Sequence, residues 1–133
     1  VTKILLVASE PSRERLRLAL ERLEASGEEV AFLEAANGND AMAIAEAEYP
    51  DLVVVEVGVT PYGAFGLTRD LKAQPDLTCP VIIVLERLQD EWLGRWSGAD
   101  ALVNQPVDPF ALAEVARRLL EEDASALEEA GAR

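Results

Sequence analysis

Histidine is absent from this sequence, and cysteine occurs once, at Cys79. A lone cysteine excludes an internal disulfide and fits a reducing compartment. Without histidine the chain lacks the commonest general base and metal ligand, so neither a hydrolase triad nor a thiolate–imidazole pair can be assembled. Aromatic residues make up only 5% of a sequence that is half apolar, which points to an aliphatic core. Positive charge is also scarce. Twelve Lys and Arg stand against 25 Asp and Glu, a formal net charge of −13. A surface this acidic repels phosphate backbones and anionic membranes, so no direct nucleic-acid contact and no membrane contact is expected. No apolar run nears the length of a membrane span, and the N-terminus has no signal-peptide pattern. These absences describe a soluble, cytoplasmic protein. Its 133 residues suit one domain, long enough to bury roughly two-thirds of the surface of its unfolded chain.

What is present is an alternation of short aliphatic runs with amphipathic stretches. KILLVA (3–8), VAFLEA (30–35), DLVVVEV (51–57), PVIIVLE (80–86) and DALVNQ (100–105) read as five strands. Between and after them, 11–27, 39–49, 67–74 with a start near Ala64, 88–98 and 108–122 read as helices. Leu16, Leu20 and Leu23 recur at helical spacing. Pro11 suits a first turn and Gly27 an end, and Asp108 followed by Pro109 marks an N-cap and a first helical position. Five β–α units imply a parallel sheet covered by helices on both faces. Right-handed crossovers leave few topologies, and the expected one is a doubly wound sheet of order 2-1-3-4-5. Sites in such sheets lie beyond the carboxyl ends of the strands, which here means Ala8 to Glu10, Glu56 to Thr60, Leu85 to Arg87, and Gln105. The domain is expected over residues 1–121. Residues 122–133, rich in acids, read as an extension of the last helix or a solvated tail.

The order and wording of these pieces resemble the receiver domain of response regulators, the CheY-like family with its flavodoxin-like fold. KILLVASEPSRERL, ANGNDAMAIA, PDLVVVEV with TPYGAFGL, PVIIVLE and GADALVNQPVDPFALAEVARRLL carry the resemblance, from residue 3 to about 121. The resemblance implies a phospho-accepting aspartate after strand 3, an acidic pair holding Mg²⁺ after strand 1, a hydroxyl after strand 4, a lysine after strand 5 and an aromatic switch residue on strand 5. It also implies a cis peptide before Pro106. The chemistry needs all of the site residues, because a carboxylate attacks phosphorus only where a cation neutralises the incoming charge.

The sequence departs at every one of these positions. The acidic pair falls on Ala8 and Ser9, the aspartate on Glu56, the hydroxyl on Leu85, the lysine on Gln105 and the aromatic on Leu102. Three roles are open to Glu56: a working acceptor, a built-in mimic of the phosphorylated acid, or a plain carboxylate at the rim. The last is favoured. Glutamate carries its oxygens one methylene further out, Leu85 cannot hydrogen-bond, and Gln105 offers a neutral amide in place of an ammonium. Arg87 is the nearby cation expected to be able to pair with Glu56.

The reading that follows is a pseudo-receiver: a signal-transduction module that docks proteins without phosphotransfer, has no enzymatic activity and needs no metal or cofactor. Its alternatives are a phosphorylatable receiver with nonstandard residues and, last, a small-ligand binder such as a flavin site. The docking face, to a partner or a second copy, is expected at helix 4, strand 5 and helix 5. Trp92, Trp96 and Leu102 are its candidates, with Leu88 in the same helical row. Trp92 is expected to pack largely onto the sheet, and Trp96 to be half exposed.

Overall fold

The structure is a computed structural model that describes residues 1–131, with side-chain surroundings through Ala124. Five strands form one sheet: β1 (Thr2–Val7), β2 (Val30–Ala35), β3 (Leu52–Glu56), β4 (Val81–Leu85) and β5 (Ala101–Asn104). Every pairing is parallel and the order is β2-β1-β3-β4-β5, as the alternation of elements predicts. Five α-helices cover it: α1 (Ser12–Leu20), α2 (Gly38–Glu48), α3 (Ala64–Ala73), α4 (Glu91–Ser97) and α5 (Pro109–Gly131). The expected extension or tail at 122–133 lies partly outside the described residues.

The two-residue period of the strands divides the core. Leu5, Val7, Val53, Val55, Ile83 and Leu85 point to the face covered by Ala41 and Ala45 of α2 and Leu67 and Leu71 of α3. Ile4, Leu6, Leu52, Val54, Ile82 and Val84 point to the other face, under Leu16 and Leu20 of α1 and Leu112 and Ala116 of α5. The central strands β1, β3 and β4 are covered on both faces, which is why they read as unbroken aliphatic runs.

Local chemistry sets the ends of the helices. Asn37 accepts a hydrogen bond from the Asp40 amide at 2.9 Å and caps α2. The Asp108 carboxylate accepts from the amides of Phe110 and Ala111 at the start of α5. The helix expected over 11–27 is α only to Leu20; a 3₁₀ stretch, Glu21–Ser26, then ends at Gly27 with φ 92°. The expected 88–98 helix likewise opens as a 3₁₀ turn, Leu88–Asp90, before α4. Gln105–Pro106 is cis, as are Glu10–Pro11 and Thr60–Pro61.

One expectation about packing is overturned. Trp92 is 65% exposed and does not pack onto the sheet; Trp96 is 52% exposed. The buried residues of α4 are Gly94 and Ser97. A Cβ at Gly94 would stand 2.4 Å from Leu102 Cδ2, so the helix rests its backbone on the leucine of β5. At about 100° per residue, positions two before and two after Gly94 turn to the opposite side. Bulk comes from the strand, and the tryptophans are left outside.

Candidate functional site

The carboxyl ends of β1, β3, β4 and β5 meet at one rim. Glu56 is the last residue of β3, level with Val84 of β4 and half-buried. Ala8 follows β1, fully buried, with its amide bonded to the Ala35 carbonyl at 3.1 Å. Ser9 is exposed. Leu85 is fully buried, and its carbonyl accepts from the Gln105 amide at 2.9 Å, which fixes the turn after β5. Leu102 is occupied under Gly94. The positions expected at the rim are therefore gathered there, but Ala8 and Leu85 contribute only hydrocarbon.

Burial pushes the Glu56 carboxyl above the ordinary range, and the negative charge of Glu86 adds to this. The neighbouring polar side chains of Ser12 and Gln105 and the positive charge of Arg15 pull the other way. Arg87 does not pair with Glu56. Its guanidinium is bonded to Asp90 at 3.0 and 3.2 Å, because a partner three residues away within the same turn is nearer to hand. The positive charge felt at Glu56 comes instead from Arg15 of α1, beyond ion-pair distance, which sequence reasoning missed. Its signal was its place three residues beyond Ser12, on the same side of the helix.

The third carboxylate of the region is also spoken for. Glu10 is ion-paired with Arg13 at 3.1 Å, and the same guanidinium reaches the Glu34 carboxylate at 3.1 Å and the Ala8 carbonyl at 3.2 Å. Arg13 thus ties the loop after β1 to the end of β2. Among the described residues, no three Asp, Glu, Cys or His side chains gather where a metal ion could be held. A hard divalent cation wants several oxygen ligands, and the acidic-pair positions after β1 hold Ala8 and Ser9, which supply no carboxylate. The donor set does not fit Mg²⁺.

The loop from β3 to α3 is held by Tyr62. It lies over the backbone of Gly38, where a Cβ would be 2.3 Å from the Tyr62 carbonyl oxygen. Its hydroxyl donates to Asp70, and burial together with that carboxylate pushes the phenol up to about 12. Among the described residues, no helix is long and apolar enough to cross a membrane.

No family model matches the chain. Relatives and solved structures do. An uncharacterized response regulatory protein of Mycobacterium tuberculosis is 32% identical over 110 residues, covering 82% of this chain and 83% of its own length. Protein PilH of Pseudomonas aeruginosa is 32% identical over 123 residues, 90% of this chain and 98% of its own. The crystal structure of the signal receiver domain of a signal transduction histidine kinase from Syntrophus aciditrophicus superposes with a TM-score of 0.76 at 31% identity, over 92% of each chain. With the sheet order and the rim positions in place, these likenesses put the chain in the response regulator receiver family, the CheY-like domains of two-component signalling.

Proposed function

We propose that the chain is a pseudo-receiver, which signals by docking a protein partner or a second copy of itself and does so without phosphoryl transfer. The observation that carries this reading is the composition of the rim. One half-buried glutamate is surrounded by Ala8, Leu85 and Gln105, where transfer needs an acidic pair holding a metal ion, a hydroxyl and an ammonium. Neither enzymatic activity nor a cofactor is part of the reading, and its place of action is the cytoplasm.

The docking face is that of α4, β5 and α5. Leu88, Trp92 and Trp96 stand out from it at 65%, 65% and 52% exposure. Tryptophan is among the residue types enriched at the hot spots of interfaces. Arg69 lies 4.4 Å from the Trp96 ring centroid and donates to the Trp96 carbonyl, which holds that ring ready at the surface.

Incubation with acetyl phosphate and Mg²⁺, followed by intact-mass measurement, tests the reading. The expected result is an unchanged mass, together with tryptophan fluorescence that does not respond to beryllofluoride. A stable gain of one phosphoryl group would instead establish the alternative, a phosphorylatable receiver with nonstandard residues. Glu56 as a mimic of the phosphorylated acid is tested by Glu56→Gln. Partner binding that survives the change fits a plain rim acid, and a tenfold loss fits the mimic.

A further inference from the structure

A cleft of about 750 Å³ runs from the rim down between α1 and the turn that joins β5 to α5. Glu56 and Gln105 lie at its head. Leu16, Ala19, Pro106, Val107 and Pro109 supply its apolar walls, and Arg15 and Arg22 stand along the α1 side. The volume and the mixture of apolar wall with a few polar groups are those of a small-molecule site.

The charges are unusual for this chain. Acids outnumber bases two to one, and the arginines of α1 that flank Arg15 are neutralised. Arg13 is paired with Glu10 and Glu34, and Arg17 with Glu14 and Glu21. Among the described residues, Arg15 and Arg22 have no carboxylate within ion-pair distance, and both line the cleft. Arg22 is stacked 4.0 Å from the Phe110 ring centroid. An aromatic ring beneath a guanidinium takes none of its N–H donors, which stay available to an anion. The two arginines are seven positions apart, roughly 10–12 Å along the helix, two turns on the same side.

We infer that this cleft binds a small amphipathic carboxylate, its single anionic end held between Arg15 and Arg22 and its apolar body laid against Leu16, Pro106, Val107 and Pro109. A polyphosphate is disfavoured because Glu56 at the head of the cleft and Glu86 beside it would repel a multiply charged group. A neutral apolar molecule would gain nothing from the two guanidinium groups. The assignment goes beyond the docking reading and stands whichever way the phosphorylation test falls.

The experiment titrates the ¹⁵N-labelled full chain with decanoate, kept below its micelle concentration, and in parallel with decanol as the uncharged isologue. The expected result is a set of saturable amide shifts confined to residues 12–22 and 105–110, with decanoate at least tenfold tighter than decanol. The Arg15→Gln/Arg22→Gln double variant, whose remaining spectrum shows that it is folded, should weaken decanoate binding at least tenfold and leave decanol unaffected. Shifts that do not saturate, that centre on Trp92 and Trp96, that are equal for the two ligands, or that persist in the variant would overturn the assignment. So would binding of an acidic helical peptide in the cleft without any response to decanoate.

Discussion

A single methylene and its surroundings decide what Glu56 does. Its carboxyl is held above the ordinary range by burial, so its ionised form is disfavoured in the folded chain. A carboxyl raised on folding weakens the native state as pH climbs through the carboxylate range, because the unfolded chain then releases its proton more readily. Glu56→Gln, which is neutral throughout, should therefore be more stable than the parent at pH 7 and equal to it below the ordinary carboxylate range. Chemical denaturation across pH checks this; a variant less stable than the parent at pH 7, with the gap closing toward low pH, would show instead that the negative charge is stabilising. Thr68 offers a second test. Its hydroxyl is fully buried on α3 and, among the described residues, has no hydrogen-bond partner. Thr68→Val keeps the shape and removes the stranded polar atom, so it should raise stability by about 1 kcal/mol. A loss of similar size in the same denaturation experiment would show that the hydroxyl is satisfied in solution.

Elements here are positioned through glycines as much as through large side chains. At Gly94 the backbone of α4 meets Leu102, and at Gly38 the start of α2 meets Tyr62. The two contacts differ in what can yield. Leu102 presents the end of a flexible side chain, whereas Tyr62 presents its backbone carbonyl. Gly38→Ala is thus expected to be the costlier change, roughly 1–3 kcal/mol in thermal or chemical unfolding. Gly94→Ala should cost less and shift the fluorescence of Trp92 and Trp96 as α4 lifts; the reverse ranking would mean that the β3–α3 loop moves more easily than α4. How far such detail could be read beforehand depends on the kind of element. VVV before Glu56 and VIIV before Leu85 announce strands covered on both faces, and with the crossovers they place the rim. The side of α4 that faces inward was not legible. A seven-residue helix has too few apolar positions to define a face, and the contact was made by a glycine against a leucine eight residues later. Arg87 misled for a related reason: sequence proximity to the rim says nothing about the Asp90 carboxylate that captures it within one turn.

For the molecule as a whole, charge is the dominant variable. The net charge of −13 implies self-repulsion in the compact state. The ion pairs that oppose it, such as Lys3–Glu48 and Arg95–Glu91, are largely exposed, and pairs of that kind contribute about 0–1 kcal/mol each. Salt screens both, but the repulsion acts over the entire surface. Raising sodium chloride from low to moderate concentration should therefore increase the melting temperature in calorimetry; a decrease would mean that the local pairs outweigh the global charge. The contact between Gly94 and Leu102 also bears on the molecule's descent. A side chain gained at position 94 takes space that Leu102 fills, so the two sites are coupled. Leu102→Ala should act as a suppressor of Gly94→Ala, and relatives with a side chain at position 94 should carry a smaller residue at 102.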